Sequence, residues 1–309
     1  MTVSDQPKSA HTLVVVAGPT AVGKTNLAIQ LALHYQTVII SADSRQFYKQ
    51  LKIGTAAPTS EELASVPHFL AGHLDVNDYY NVSKFESDVL DILKAEFPFR
   101  NPIILTGGSG LYIDAVCKGI DDLPDADPRI REQINLWLKE SGIEYLQKLL
   151  EELDPEYFTV VDENNPNRLK RAIEVCLMTG KTYTSLRMNQ TKIRDFKIVK
   201  IGLNQPREEL FQRISLRTDK MMEDGLVDEV KSLNGFRSLN ALNTVGYKEI
   251  FEYLDGAVSL DQAIENIKTN TRRYAKRQLT WLKRDQEIRW FAPDQIELII
   301  NYIDEMMAC

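Results

Sequence analysis

The chain has 309 residues, of which 43% are hydrophobic and 26% are charged, a composition typical of a globular protein with a full core. Its formal net charge of −7 at pH 7 predicts no general affinity for nucleic acid, so any nucleic-acid surface must be local. The three cysteines, Cys117, Cys176 and Cys309, stand singly, which argues against a disulfide framework or a zinc module, and no apolar run approaches the roughly 18 residues of a membrane span.

The first informative stretch predicts a strand, a glycine-rich turn and a helix. Residues 13–17 are an apolar run, and residues 26–35 have helical composition. Between them the chain fills the pattern G-x-x-x-x-G-K-[ST] at every fixed position. The backbone N–H groups of such a turn, with the N-terminus of the following helix, bind an anion. We therefore predict a phosphate or diphosphate site at Gly18, Pro19, Thr20, Ala21, Val22, Gly23, Lys24 and Thr25.

Three side chains near this turn are candidates for chemistry. Lys24 supplies a point charge for terminal phosphates, and the hydroxyl of Thr25 is a ligand for Mg²⁺, which we predict as the cofactor. A second predicted strand, at 37–40, is followed by Asp43. Because ligands of an open parallel sheet lie at the carboxyl ends of its strands, we expect Asp43 in the same crevice as Lys24.

A third predicted strand, at 102–106, lacks a carboxylate that nucleotide hydrolysis usually requires. P-loop NTPases carry an Asp at the end of such a strand to hold the metal ion. Here Thr106 and Gly107 occupy that place. The sequence keeps the phosphate turn without this carboxylate, which favours a phosphate or diphosphate that is handled without ATP turnover.

The remaining pattern predicts helices around the sheet and a helical insertion within it. Residues 83–94 favour an amphipathic helix with Ser83 as N-cap and Glu86 completing a capping box. We expect an α/β fold: a P-loop NTPase-like parallel sheet core flanked by helices, formed by 1–122 and 195–309, with an all-helical insertion domain at 123–194. The other predicted elements are a loop at 50–60, helices at 130–139, 143–153 and 167–178, a strand at 197–203, and helices at 207–223 and from Ser259 through 268–284. The tail, residues 288–291 followed by a final helix to Met307, is expected to complete the structure without a role in chemistry.

Basic residues cluster at two places on predicted helices. The segment 268–284 contains seven Lys or Arg residues and no acidic residue. In an acidic protein such a run predicts a track for a nucleic-acid backbone, with a solvated helix face as the alternative. A smaller cluster, Arg168, Lys170 and Arg171, lies in the insertion, and from the residues alone a solvated face is the simpler interpretation.

Eight blocks of the sequence resemble the bacterial tRNA dimethylallyltransferases, the tRNA isopentenyltransferase family. They follow the family's order and span nearly the whole chain. Three positions depart from the family pattern: Ala57 replaces a Lys, Ser109 a Thr, and Lys283 an Arg. The blocks are GPTAVGKT at 18–25, SADSRQFYK at 41–49, IGTAAPT at 53–59, GGSGLYI at 107–113, LPDADPRIR at 123–131, NPNRLKRAIEV at 165–175, NTVGYKE at 243–249 and YAKRQLTWLKR at 274–284.

The resemblance implies a Mg²⁺-dependent enzyme that transfers the dimethylallyl group of dimethylallyl diphosphate to N6 of adenosine 37 in tRNA. It implies Asp43 as the base that accepts the amine proton, and Lys24 and Arg217 as catalytic contacts of the diphosphate. It also implies that the insertion grips the anticodon stem-loop. The residues that it marks for tRNA binding are Asp43, Ser44, Arg45, Gln46, Ser109, Arg131, Asn167, Arg168, Leu169, Lys170, Arg171, Arg272, Arg273, Lys276, Arg277 and Gln278.

Two other enzyme classes stay open at this point. An adenylate isopentenyltransferase uses the same chemistry on free AMP, and a small-molecule P-loop kinase shares the phosphate turn and an early Asp. A non-catalytic tRNA-binding protein is disfavoured because Lys24, Thr25 and Asp43 are all present. We further expect a cytoplasmic monomer without membrane association, since the first ten residues lack the apolar region of a signal peptide.

Overall fold

The computed structural model of the protein describes residues 11–188 and 190–308. The N-terminal segment, for which the sequence predicts no signal peptide, and Cys309 lie outside the described residues. The chain divides into two compact units, one formed by Met1–Cys117 and Arg194–Cys309 and the other by Lys118–Ile193. The predicted domain boundaries, 122/123 and 194/195, differ because the second unit begins at Lys118, the last residue of a helix, and ends at Ile193.

One parallel sheet forms the centre of the first unit. The predicted strands at 13–17, 37–40, 102–106 and 197–203 are confirmed to within two residues, whereas the short strands at 68–69 and 289–291 were not predicted. Within the described residues the six strands lie in the order β3-β2-β4-β1-β5-β6: β1 (Thr12–Ala17), β2 (Ile39–Ser41), β3 (His68–Phe69), β4 (Ile103–Gly107), β5 (Lys197–Leu203) and β6 (Arg289–Phe291).

Strand β1 lies in the middle of the sheet and alternates between two cores. Leu13 and Val15 point into one hydrophobic layer, whereas Val14 and Val16 point into the layer on the opposite face. All four side chains are buried. Helices cover both faces of this sheet, which explains why the strand is a continuous apolar run rather than an alternation of apolar and polar residues.

The strand register places the predicted site residues at one edge of the sheet. Ala17 of β1 pairs with Gly107 of β4, and Ser41 of β2 pairs with Thr106 on the other side of β4. The ends of these three strands are therefore adjacent. The glycine-rich turn and Asp43 follow β1 and β2 directly, so both emerge at this edge.

Helices surround the sheet and make up the whole of the second unit. The predicted helices at 207–223 and after Ser259 are confirmed, whereas several short helices were not predicted. In the described part of the chain the thirteen α-helices are α1 (Lys24–His34), α2 (Ser60–Ser65), α3 (Val82–Glu96), α4 (Gly110–Lys118), α5 (Pro128–Leu153), α6 (Pro155–Phe158), α7 (Pro166–Thr179), α8 (Tyr183–Leu186), α9 (Arg207–Glu223), α10 (Leu226–Ser232), α11 (Tyr247–Leu254), α12 (Leu260–Leu282) and α13 (Ile296–Ala308).

The predicted capping box of α3 is wrong. The helix begins at Val82 and its N-cap is Asn81, whose side-chain oxygen accepts a hydrogen bond from the backbone N–H of Lys84. Asn81 has the extended backbone that an N-cap requires, and an Asn side chain caps as well as Ser. Glu86 is instead buried and forms an ion pair with Arg194.

The second unit is a small helical body with its own core. The predicted helices at 130–139 and 143–153 form α5, whose backbone is broken at Gly142 with φ 78°. The predicted helix at 167–178 is α7. Their apolar faces pack together through a cluster that includes Ile134, Leu150 and Ile173. This arrangement confirms the helical character of the segment that interrupts the sheet.

The structure also bears on the cysteines and on possible membrane spans. Cys117 and Cys176 are both buried, and neither takes part in a disulfide. Among residues 11–188 and 190–308, no helix combines the length and the apolar character that crossing a membrane requires.

Candidate active site

The glycine-rich turn between β1 and α1 has the geometry that its motif predicts. Gly23 adopts φ 107°, in the left-handed region that favours glycine, and α1 begins at the next residue, Lys24. A Cβ atom at Gly18 would lie 2.9 Å from the carbonyl oxygen of Leu203. Both glycines are thus required by the backbone, and the turn leads into the N-terminus of a helix, where anions bind.

The turn, Asp43 and two arginines line one cleft of about 570 Å³. Lys24 and Thr25 form one wall and Asp43 lies in the same cleft, as the sequence predicts. Arg217 reaches it from α9, and Arg213, one helical turn earlier, lies beside it. Since residues four apart share a face of a helix, both guanidinium groups point to the same side of α9.

Burial of Lys24 and Arg217 makes this cleft favourable for an anion. Removal from water lowers the pKa of Lys24 to about 8, an effect that nearby Asp43 opposes and Arg217 reinforces. Burial likewise lowers the pKa of Arg217, and Asp43 again opposes this. The Lys24 ammonium donates a hydrogen bond of 2.8 Å to the carbonyl of Pro19. Two partly desolvated cations facing one carboxylate leave positive charge for a bound anion.

The pKa of Lys24 leads to an expected pH dependence. Below pH 8 the ammonium is protonated and holds an anion; above pH 8 the free protein loses this proton, so affinity falls as pH rises. For an anionic substrate, kcat/KM should therefore fall about tenfold per pH unit above this pKa. A Lys24→Arg variant should show no such decline up to pH 10, because a guanidinium stays protonated. An identical decline in both proteins would contradict the assignment to Lys24.

Asp43 lies between this cleft and a second, smaller cavity. Its Oδ1 atom accepts a hydrogen bond of 3.0 Å from the backbone N–H of Arg45. The second cavity, of about 80 Å³, is also lined by Asp43 and Arg217, and much of its wall is apolar. Its apolar lining residues are Ile214, Met221, Val245 and Ile267, with the ring of Tyr274. The carboxylate therefore faces both an anion site and an apolar space.

Hydroxyl groups from three elements meet beside Asp43. The Ser109 oxygen accepts a hydrogen bond of 3.1 Å from the backbone N–H of Ser44, and it also interacts with Tyr274. Burial, together with the negative charge of Asp43, raises the pKa of Tyr274 to about 12. The phenol is thus neutral at physiological pH. Ser109 stands where the family that the sequence resembles more often has Thr, and its hydroxyl forms these hydrogen bonds as a threonine hydroxyl could.

Comparison with known proteins identifies the family of this chain. The sequence model of the IPP transferase family matches residues 46–285. The tRNA dimethylallyltransferase 1 of Bacteroides thetaiotaomicron is 53% identical over 292 residues, which cover 94% of this chain and 95% of that relative. The chain belongs to the IPP transferase family. This confirms the resemblance inferred from the sequence blocks.

Solved structures of IPP transferases have the same fold. The tRNA isopentenylpyrophosphate transferase of Bacillus halodurans aligns with a TM-score of 0.70 and 36% identity, covering 96% of this chain and 97% of that one. A eukaryotic dimethylallyltransferase described as acting on tRNA aligns with a TM-score of 0.74 and 26% identity, covering 93% of this chain and 75% of that one. The P-loop NTPase-like fold is thereby confirmed.

Two residues that the resemblance assigns to tRNA binding form hydrogen bonds within this IPP transferase. Gln278 is only 6% exposed, and its side-chain oxygen accepts a hydrogen bond of 2.8 Å from the N–H of Thr20. Its side-chain nitrogen donates to the carbonyl of Gly108 at 2.9 Å. Gln278 therefore joins the phosphate turn to the loop after β4. Gln46 similarly donates to the carbonyls of Thr55 and Ala56.

The cations of α12 that the resemblance assigns to tRNA binding differ in exposure. Arg273, Lys276 and Arg277 are exposed. Arg272 is partly buried, because its guanidinium packs over the ring of Phe211 and donates to the Ser215 hydroxyl. In a neighbouring groove of about 910 Å³ the charged lining residues are all cationic: Arg207, Arg272, Arg273, Lys276 and Lys283. Arg45, also marked for tRNA binding, donates to the carbonyl of Asn240.

In the second unit, two arginines that the resemblance assigns to tRNA binding donate hydrogen bonds to a buried carboxylate. Glu174 is 0% exposed and accepts hydrogen bonds from both Arg131 and Arg171. Lys170 donates to the Asn135 side chain. Asn167 and Arg168 are exposed.

The marking of Leu169 for tRNA binding is corrected by the structure. Its side chain is 0% exposed and belongs to the hydrophobic core of the second unit. Leu169 follows Arg168 along α7, and successive helical residues point to different faces. The side chain therefore supports the helix that carries the basic residues and offers no surface to RNA.

Sequence reasoning assigned no role to Arg213, a basic residue of the cleft. Its Nε atom donates to the carbonyl of Ala21 in the phosphate turn at 2.7 Å. Its spacing of four residues from Arg217 was the available signal. Ala57, which replaces a family Lys, lines the same cleft. The basic side chains that line the cleft are thus Lys24, Arg213 and Arg217.

Proposed function

We propose that this protein transfers the dimethylallyl group of dimethylallyl diphosphate to N6 of adenosine 37 in tRNA and releases diphosphate. The observation that carries the proposal is the position of Asp43, which lines both a cationic cleft and a cavity with an apolar side. The cleft suits a diphosphate, and the apolar side of the cavity suits a branched five-carbon chain. With a substrate bound in this way, we expect the Asp43 carboxylate to lie beside the carbon–oxygen bond that must break.

The cationic cleft stabilises the leaving group. As the bond between C1 of the allyl chain and the diphosphate oxygen breaks, its electron pair goes to the oxygen, and negative charge grows on the diphosphate. Lys24 and Arg217, which line this cleft, and the backbone N–H groups of the turn are the donors that would stabilise this charge. Each preorganised donor of this kind is typically worth about 3 kcal/mol of transition-state stabilisation, or roughly a hundredfold in rate.

Asp43 accepts the proton that the nucleophile must lose. The exocyclic amine of adenine is a poor nucleophile, and its nitrogen becomes positively charged as it bonds to C1. Transfer of the amine proton to the Asp43 carboxylate removes that charge and completes the substitution. Positioned bases of this kind typically contribute about 10²- to 10⁴-fold in rate.

The site fits a Mg²⁺ ion that is bound jointly by the protein and the diphosphate. The described residues contain no group of three or more His, Cys, Asp or Glu side chains that could hold a metal ion by themselves. The donor set fits a site shared with substrate, since proteins commonly hold Mg²⁺ with one or two side chains plus substrate phosphates. Thr25 offers its hydroxyl in the cleft. The ion would supply charge neutralisation of the diphosphate.

Basic side chains on both units support an RNA substrate. Arg273, Lys276 and Arg277 are exposed on α12, and Arg168 and Lys170 lie on α7. Phosphate contacts of this kind hold RNA without reading its sequence. We expect the helical insertion to grip the anticodon stem-loop, with adenosine 37 turned out of its stack at a cost of a few kcal/mol so that N6 reaches Asp43. The protein is expected to act as a monomer in the cytoplasm.

Incubation with radiolabelled dimethylallyl diphosphate tests this function. We expect label in tRNA at adenosine 37, no label in AMP, and no label in the same tRNA with guanosine at position 37. EDTA should abolish transfer and excess Mg²⁺ should restore it. Label in AMP alone would favour an adenylate isopentenyltransferase, and phosphate transfer from ATP to a small molecule would favour a kinase; either result would overturn the proposal. Full transfer in EDTA would remove the metal role of Thr25.

A further inference from the structure

The loop formed by residues 52–56 orients two side chains of the candidate active site. The carbonyl of Thr55 accepts a hydrogen bond from Nη2 of Arg217 at 3.2 Å. The same carbonyl and that of Ala56 accept from the Gln46 amide, at 3.2 and 3.0 Å. The position of the Arg217 guanidinium beside Asp43 therefore depends on where this loop lies.

A carboxylate from α10 holds the other side of the 52–56 loop. Glu229 accepts three backbone hydrogen bonds, from the N–H groups of Lys52 at 3.0 Å, Ile53 at 2.8 Å and Gly54 at 3.0 Å. The Tyr247 hydroxyl donates a fourth, at 2.6 Å. Hydrogen bonds to an ionised acceptor are stronger than those between neutral groups, so this one side chain fixes three successive peptide units.

Tyr247 packs tightly against the same loop. Its side chain is fully buried, and a Cβ atom at Gly54 would lie 2.5 Å from the ring. Burial and the charge of Glu229 raise the pKa of the phenol, so that it stays a neutral donor. Gly54 is thus required by the close approach of the ring, and the loop has no room to shift toward α11.

The backbone of the loop is strained where it turns toward the active site. Ala56 has φ 44°, in the left-handed region that an alanine seldom adopts. Such conformations persist only where surrounding contacts over-determine them, and they occur often at functional sites. Here two sets of contacts hold the strained backbone in place. Glu229 binds the residues before Ala56, and Gln46 donates to the carbonyl of Ala56 itself.

We propose that Glu229 is a positioning residue of the transfer reaction. It does not line the cleft or the cavity; it acts through the 52–56 loop, whose Thr55 carbonyl holds Arg217 in place to meet the diphosphate. This role rests on the proposed function, because it assigns a diphosphate to the Arg217 cleft. An amide in place of the carboxylate would keep one acceptor oxygen and turn an NH₂ group against backbone N–H donors, which would release the loop.

A double-mutant cycle on binding of inorganic diphosphate tests this positioning role. Calorimetry would compare the wild-type protein, Glu229→Gln, Arg217→Ala and the double variant. If Glu229 acts through Arg217, Glu229→Gln should weaken binding about tenfold in the wild-type background but less than twofold when Arg217 is absent. Equal factors in both backgrounds would overturn the proposal, since they would show a general effect on the fold.

Matched variants separate positioning from loss of folding. Asp228→Asn removes the neighbouring exposed carboxylate of the same helix and should leave the affinity unchanged. Tyr247→Phe keeps the packing on Gly54 but removes one hydrogen bond; it should give a smaller loss that also disappears when Arg217 is absent. Should Glu229→Gln fail to fold, the Tyr247→Phe cycle decides the question in the same way. Failure of wild-type protein to modify tRNA would contradict the proposed function without affecting this cycle.

Discussion

Asp43→Asn is expected to lower the rate of dimethylallyl transfer by about 10²- to 10⁴-fold, the range that a positioned base contributes. The substitution keeps the shape of the side chain but removes its capacity to accept the amine proton. The amide oxygen can still accept the hydrogen bond that Asp43 receives from the backbone of Arg45. Single-turnover kinetics with saturating tRNA and dimethylallyl diphosphate would measure the chemical step directly.

The binding of both substrates by Asp43→Asn is the control for this result. Loss of a negative charge beside Lys24 and Arg217 should leave diphosphate binding equal or tighter, because the carboxylate no longer competes for these cations. Affinity for tRNA should be nearly unchanged. Asp43→Glu, which keeps the carboxylate but displaces it, should retain more activity than the Asn variant. A single-turnover rate for Asp43→Asn within threefold of wild type would remove Asp43 as the base.

The parts of the site that sequence alone predicted are local or follow from sheet geometry. The phosphate turn is a contiguous motif, and the structure places its residues as the motif requires. Asp43 was placed correctly because parallel strands end at one edge of a sheet. Arg217 was different: its helix was predicted within its observed bounds, but only the family resemblance distinguished this arginine from a solvated one.

The parts that sequence did not predict depend on long-range contacts. Gln278 lies 258 positions from Thr20, and its side-chain oxygen accepts a hydrogen bond from the backbone N–H of that residue. Nothing in the sequence of a basic segment shows which of its side chains points into the protein. Leu169 was grouped with its charged neighbours, although an apolar side chain inside a basic helix is the one expected to face a core. Glu229 contacts mainly backbone N–H groups, and these leave no trace in the identity of the residues contacted.

The departures from the family pattern also have structural settings. Ala57 lines the cationic cleft without contributing charge, and Lys283 lines the basic groove beside α12. Lys283 follows the last residue of that helix and is exposed. A lysine there keeps the positive charge but not the planar, two-pronged donor geometry of an arginine.

Replacing Arg273, Lys276 and Arg277 together with Ala is expected to weaken tRNA binding about 10²- to 10³-fold at low salt and to reduce the salt dependence. Each phosphate contact that is lost lowers the slope of log K against log salt by about 0.7 to 0.9, so three should lower it by about 2. These three side chains are exposed, although Arg277 also lies over the ring of Tyr274. Arg272 is partly buried, packs on Phe211 and donates to the Ser215 hydroxyl. Leaving Arg272 intact therefore avoids disturbing the contact between α9 and α12.

A charge-matched variant shows whether position matters rather than total charge. Lys94, Lys231 and Arg289 are exposed on α3, α10 and β6, and changing them to Ala removes the same net charge of three. Arg289 lies over the rings of Phe291 and Tyr302, as Arg277 lies over that of Tyr274, so each variant also loses one guanidinium that packs on an aromatic ring. Filter binding of tRNA across a salt series should give a wild-type slope for this control and a shallower one for the α12 variant. Diphosphate binding should be unaffected in both. Equal slopes for the two variants would mean that the cations of α12 attract RNA only through the overall field of the protein, and the RNA backbone would then have to lie elsewhere.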